Sequence, residues 1–162
     1  MNVADRAKEV LHDLLERMGV EGSIDVHEDE ERITLDVRGA EGGLIIGKKG
    51  QTLDALQYVV SKIVHRGAEP PPVEGTTLPF GKPIVVDTEG YRARRVDSLV
   101  ELAHRLSDKA IRTRKTITVD PMSPHDRRII HLTLGSVPGV TTRSEGEGAF
   151  RRLLIIPQPD KT

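Results

Sequence analysis

Hydrophobic residues recur along this chain in two rhythms. Val3, Ala7, Val10, Leu11, Leu14, Leu15 and Met18 fall three or four apart, and Gly19 stands where such a run stops. That spacing predicts an amphipathic helix over 3–18. The rhythm then shortens to two: Ile33, Leu35 and Val37 alternate with Thr34, Asp36 and Arg38, as in a strand with one buried face. With residues 23–26 ahead of it and the acidic tip Glu28-Asp29-Glu30-Glu31 between, this reads as a β-hairpin. Gly39, Gly42 and Gly43 break the alternation. Leu44, Ile45 and Ile46 leave room only for a short helical or apolar segment before the tetrapeptide GKKG at 47–50. Leu53, Leu56, Val60, Ile63 and Val64 then give a helix its apolar face up to about Arg66, with Thr52 as the expected cap. Residues 67–83, GAEPPPVEGTTLPFGKP, have no period and predict a loop or linker. Ile84, Val85 and Val86 predict a buried strand ending near Gly90.

From Tyr91 the helical period returns. Val96, Leu99, Leu102, Ala103, Leu106 and Ala110 share a face, and Arg92, Arg94, Arg95, Arg105, Arg112 and Arg114 lie mostly off it. Residues 116–119 are a short β-rich run. Ser123 suits a helix N-cap, Pro124 the first turn and Asp126 the positive end. Ile129, Ile130, Leu132 and Leu134 are the expected buried side of that helix, and Gly135 its stop. Residues 140–144 and 150–156 predict two strands joined by the turn Glu145-Gly146-Glu147-Gly148. The order is αββααβ, then αβαββ: an α+β protein of two small domains, 1–90 and 91–162, within the size that 162 residues allow.

Net charge is only −1, which by itself argues against a nucleic-acid binder. The average conceals a split. Residues 1–90 hold 10 Lys and Arg against 17 Asp and Glu, whereas residues 91–162 hold 14 against 8. A basic second half is where a polyanion would be gripped. Cysteine is absent, which excludes disulfides and thiolate metal sites. There is no Trp, and the aromatic residues are Phe80, Phe150, Tyr58 and Tyr91, so folds that stack bases on rows of surface aromatics are disfavoured. No apolar run nears the roughly 20 residues that span a bilayer, and the mixed charge of MNVADRAKEV predicts no signal peptide. His12, His27, His65, His104, His125 and His131 are scattered without HxxxH or HExxH spacing. With no converging acid–base pair or metal cluster, the sequence predicts no enzyme and no cofactor.

Two constellations carry chemistry. In IIGKKGQTLDAL (45–56), two glycines bracket two lysines at a helix start. Glycine lets a sugar-phosphate backbone lie against the turn, and helix-start amides favour phosphate oxygens. Gly47, Lys48, Lys49 and Gly50 are therefore candidate contacts. Ile45, Ile46 and Leu53 are the candidate walls of an aliphatic groove for unstacked bases. The loop is too short for the GxxxxGK[ST] of nucleotide-triphosphate sites. The αββ prefix and the long helix afterwards match a type II KH domain, whose GxxG loop clamps a nucleotide backbone. In SPHDRRIIHLTL (123–134), Arg127 and His131 are four apart and share a helix face, with Arg128 beside them. Arginine can fork two hydrogen bonds to a phosphate. The competing structural reading pairs Arg127 with Asp126 or Glu101 and leaves His131 as packing.

The segment LIIGKKGQTLDALQYVV resembles the KH half of the bacterial Jag/KhpB family. YRARRVDSLVELAHRLSDKA, TITVDPMSPHDRRIIHLTL and GVTTRSEGEGAFRRLLIIP resemble its R-three-H domain, named for an Arg and a His separated by three residues. The resemblance covers roughly residues 22–157, apart from the proline-rich insert, in the family's order. It implies single-stranded RNA binding, with single-stranded DNA or a protein-docking scaffold as alternatives. It also implies a cytoplasmic protein without membrane insertion, a post-transcriptional regulator or RNA chaperone linked to cell division or envelope control, with a second small KH protein as partner. Carried over, GKKG at 47–50 is the KH loop, and Arg127 and His131 are the named pair. Arg94 and Arg95 begin the first R-three-H helix, and Arg143 lies between Thr142 and Ser144 on a polar strand. Three departures stand out. Family members commonly carry a further amino-terminal domain that has no counterpart here. The 67–83 insert is longer and richer in proline than the family pattern, and GAFR replaces the usual acidic-Pro pair.

Overall fold

In the computed structural model the first apolar run becomes helix α1 (Val3–Arg17). Asn2 caps it, its Oδ1 accepting from the Asp5 amide at 2.7 Å, and Ala4, Ala7, Leu11 and Leu15 are its buried positions. Residues 1–39, 41–66 and 81–159 are described. They form two compact units, Met1–Tyr91 and Arg92–Thr162.

In the first unit the hairpin is β1 (Ser23–Glu28) and β2 (Ile33–Arg38), antiparallel with Ile24 opposite Val37 and Val26 opposite Leu35. Asp29 Oδ1 closes the tip by accepting from the amides of Arg32 and Glu31, both at 2.8 Å. Those backbone bonds, that of Arg32 first, hold its carboxyl below the ordinary value. β3 (Ile84–Thr88) joins β2 in parallel, giving the order β1-β2-β3. The crossover that a parallel pair requires contains α2 (Gly42–Ile46) and α3 (Gln51–Val64). Ile33, Leu35 and Val37 are fully buried, in one core with Leu11, Leu15, Leu53 and Val60. The expected αββααβ order is present.

Two local expectations are corrected. Gly50, not Thr52, occupies the cap position of α3, and no side chain caps that helix. Val3, Met18 and Ile63 keep substantial exposure, because the apolar stripe of each helix is wider than the surface available to cover it. The linker expected at 67–83 lies outside the described residues except for its end. There Lys82 Nζ donates to Glu28 Oε1 at 2.8 Å and to the Asp29 carbonyl at 2.5 Å.

Helix α4 (Tyr91–Thr113) starts on the last residue of the first unit, and in the second unit it leads to β4 (Ile117–Thr118), α5 (Pro124–Leu134), β5 (Val140–Glu145) and β6 (Arg152–Pro157). β6 is central and antiparallel to both neighbours, in the order β4-β6-β5. Leu99, Ala103, Ile130, Leu134, Leu153 and Ile155 meet in its core. The start of α5 is as expected: Ser123 Oγ accepts from the Asp126 amide at 3.2 Å, and Pro124 opens the first turn. Leu132 is the exception on this helix, at 63% exposure. It lies about 200° around the helix from Ile130, so both cannot face one core. Phe150 is not in a strand. It ends a single 3-10 turn, Gly148–Phe150, and β6 begins at Arg152.

Candidate nucleic-acid interface

The GKKG loop depends on its glycines. Gly47 closes α2, its amide donating to the Gly43 carbonyl at 3.1 Å. Its φ of 68° and ψ of −168° lie in a region that only glycine enters readily. A Cβ there would fall on Thr52 Oγ1 and come within 2.9 Å of Thr52 Cβ. Gly50 has φ +81°, and a Cβ on it would lie 2.9 Å from the ring of Tyr91. Lys49 is left-handed as well, at φ 54°, a conformation that costs a side-chain-bearing residue about 1–2 kcal/mol. The backbone therefore doubles back tightly before α3. Lys48 is exposed and Lys49 half-buried, so of the two candidate lysines Lys48 is the more open to a ligand.

The aliphatic groove is also revised. Ile45 and Leu53 are fully buried and belong to the core. Ile46 is half-buried beside the loop, and Leu44, which the sequence pattern did not single out, is 55% exposed. One turn of helix cannot present three successive residues to the same side. Ile45 takes the inner position, leaving Leu44 and Ile46 on its flanks.

The second constellation assembles around α5. Arg127 Nη1 donates to the carbonyls of Met122, at 2.7 Å, and Arg151, at 3.3 Å. Among the described residues no carboxylate pairs with it. The alternative partner Asp126 is taken by Arg95, whose Nη2 and Nε donate to Asp126 Oδ2 at 2.8 and 3.3 Å. Asp126 is only 5% exposed. The charge expected of Arg95 at the surface is thus committed to holding α4 against the start of α5. His131 is exposed, and its Nδ1 shares a hydrogen bond of 2.5 Å with Thr142 Oγ1. That bond leaves Nε2 as the ring's outward nitrogen.

Arg151 completes the patch. Its Nε donates to Ser144 Oγ at 2.8 Å and its Nη1 to the Gly146 carbonyl at 2.9 Å. Arg127, His131, Thr142, Ser144 and Arg151 therefore form one connected surface. Sequence reasoning missed Arg151, although a signal existed: it shares parity with the buried Leu153 and Ile155, so in an extended chain it points to the same side. The same parity removes Arg143. It is exposed between the half-buried Thr142 and Ser144, on the opposite face of the sheet from His131. Arg128 is exposed beside Arg127, and Arg94 is exposed in the first turn of α4.

A sheet with a glycine-bracketed loop opening α3, followed by a unit whose helix carries Arg-x-x-x-His, defines a two-domain protein of the KH and R-three-H classes. Residues 4–74 match the KH domain of KhpA/KhpB and residues 97–157 match the R-three-H domain. The chain is 37% identical over 153 residues to the RNA-binding protein KhpB of Clostridium symbiosum, covering 93% of this chain and 64% of that protein. It is 33% identical over 152 residues to the RNA-binding protein KhpB of Bacillus subtilis (strain 168), covering 93% and 68%. The chain belongs to the KhpB family. It spans about two thirds of the length of these two relatives.

Proposed function

We propose that this protein binds single-stranded RNA, with the GKKG loop and the Arg127–His131–Arg151 patch as contact surfaces, and acts in post-transcriptional control rather than catalysis. The observation that carries this reading is the setting of Arg127. Two backbone carbonyls hold its guanidinium beside His131, and no carboxylate among the described residues neutralises it. Such a group is preorganised for a phosphate. The family supports the reading, since the relatives are named for RNA binding. Both surfaces are accounted for by holding a strand, without a reaction. A cytoplasmic setting, a second small KH protein as partner and a link to cell division or envelope control belong to the same proposal, with the family resemblance as their support. No helix among the described residues is long and apolar enough to cross a membrane.

Titration of a labelled unpaired RNA against a duplex of the same sequence tests this directly, and tighter duplex binding would contradict it. Single-stranded DNA of that sequence distinguishes the remaining alternative. Replacing Arg127 and His131 together with Ala should weaken binding and flatten its salt dependence, by about 0.7 in log–log slope for each phosphate no longer neutralised. An unaltered slope would remove the patch from phosphate binding. Lys48→Asp should cost about tenfold in affinity with the fold intact, because Lys48 is exposed. Undiminished affinity would take the KH loop out of the mechanism.

A further inference from the structure

Phe150 is 81% exposed, in a chain with two Phe, two Tyr and no Trp. An exposed aromatic is ordinary when it rides on a loose loop tip. This one does not. Its amide donates to the Glu147 carbonyl and that of Arg151 to the Gly148 carbonyl, each at 3.2 Å. Gly146, at φ +92°, packs so closely that a Cβ on it would lie 3.3 Å from the Phe150 carbonyl oxygen. The Arg151 side chain then staples the turn to Ser144 and Gly146. The ring thus projects from a backbone held at several points.

Its neighbours sort what it could accept. The carbonyl of the next residue, Arg151, receives the Arg127 guanidinium at 3.3 Å, so the backbone that carries the ring adjoins the phosphate-competent patch within one residue. Glu145 and Glu147 lie in the same turn and are exposed, which disfavours a phosphate there. An uncharged, flat group linked to a phosphate fits both demands, and a nucleobase is that group. We propose that Phe150 is the platform on which one unpaired base stacks while Arg127 and His131 hold the adjoining backbone. This rests on the RNA-binding reading and adds to it a reason for preferring unpaired strands, since a base inside a duplex has no free face to offer.

Phe150→Ala should weaken binding of unpaired RNA by about 5- to 150-fold while leaving the thermal unfolding and the salt slope unchanged. An abasic strand of equal charge should bind the unaltered protein and Phe150→Ala equally. Phe150→Trp should retain binding and supply the chain's only Trp, with emission quenched by a base-containing strand and not by the abasic one. Equal affinity of the Ala variant and the unaltered protein for RNA would overturn the proposal while leaving RNA binding standing. So would Trp emission indifferent to a strand that binds. No binding by the unaltered protein would bring down the RNA reading and this inference together.

Discussion

Asp126→Ala should destabilise the second unit by about 3 kcal/mol, the lower end of the cost of stripping one partner from a buried ion pair. Asp126 is 7% exposed in its side chain and Arg95 23%. Arg95 would keep some access to water, which places the loss at the low end. The change also removes the acidic group from the first turn of α5, where the helix dipole favours it by several tenths of a kcal/mol. For a unit of this size, about 3 kcal/mol lowers the unfolding temperature by roughly 12–24 °C. Asp126→Asn, which keeps the volume and one acceptor, should lose much less. A midpoint shift below about 4 °C for the Ala variant, equivalent to less than about 1 kcal/mol, would show that the pair contributes little. RNA affinity should fall as well, because Asp126 anchors the helix turn that presents Arg127.

The second large effect is expected in the first unit. Gly47→Ala places a side chain at φ 68°, ψ −168°, a strain of about 1–3 kcal/mol, and adds the overlap with Thr52. The loop must open to relieve both, so RNA affinity should fall at least tenfold along with stability. Gly43→Ala is the internal control. Gly43 is helical and nothing lies within 4 Å of an added Cβ, so that change should be neutral or slightly stabilising. Equal behaviour of the two variants, by chemical denaturation and RNA titration, would refute the role assigned to the Gly47 conformation.

The candidate site was legible in part, and its misreadings share a cause. GKKG and the Arg127–His131 spacing were visible because both are local: four consecutive residues in one case, one helical turn in the other. Ile45 and Leu53 were misassigned to a groove and Leu132 to the core because apolar character does not say which of several neighbouring residues a short surface will cover. Arg95 was expected to face a ligand because its partner Asp126 stands 31 residues away. Arg143 was grouped with Thr142 and Ser144 by adjacency, whereas a strand sends adjacent side chains to opposite faces. Arg151 was overlooked for the converse reason, since its link to Arg127 runs through its carbonyl rather than its charge.

The order of helices and strands, the glycine-bracketed turn and the cap of α5 followed from the sequence by itself, because each depends on periodicity or on the backbone freedom of a few neighbouring residues. Which carboxylate neutralises which arginine, which face of β5 meets α5, and the exposure of Phe150 one residue before the carbonyl that holds Arg127 were decided only by the tertiary structure. Those relations join residues distant in the chain, and packing alone selects among the many pairings that the same side chains permit.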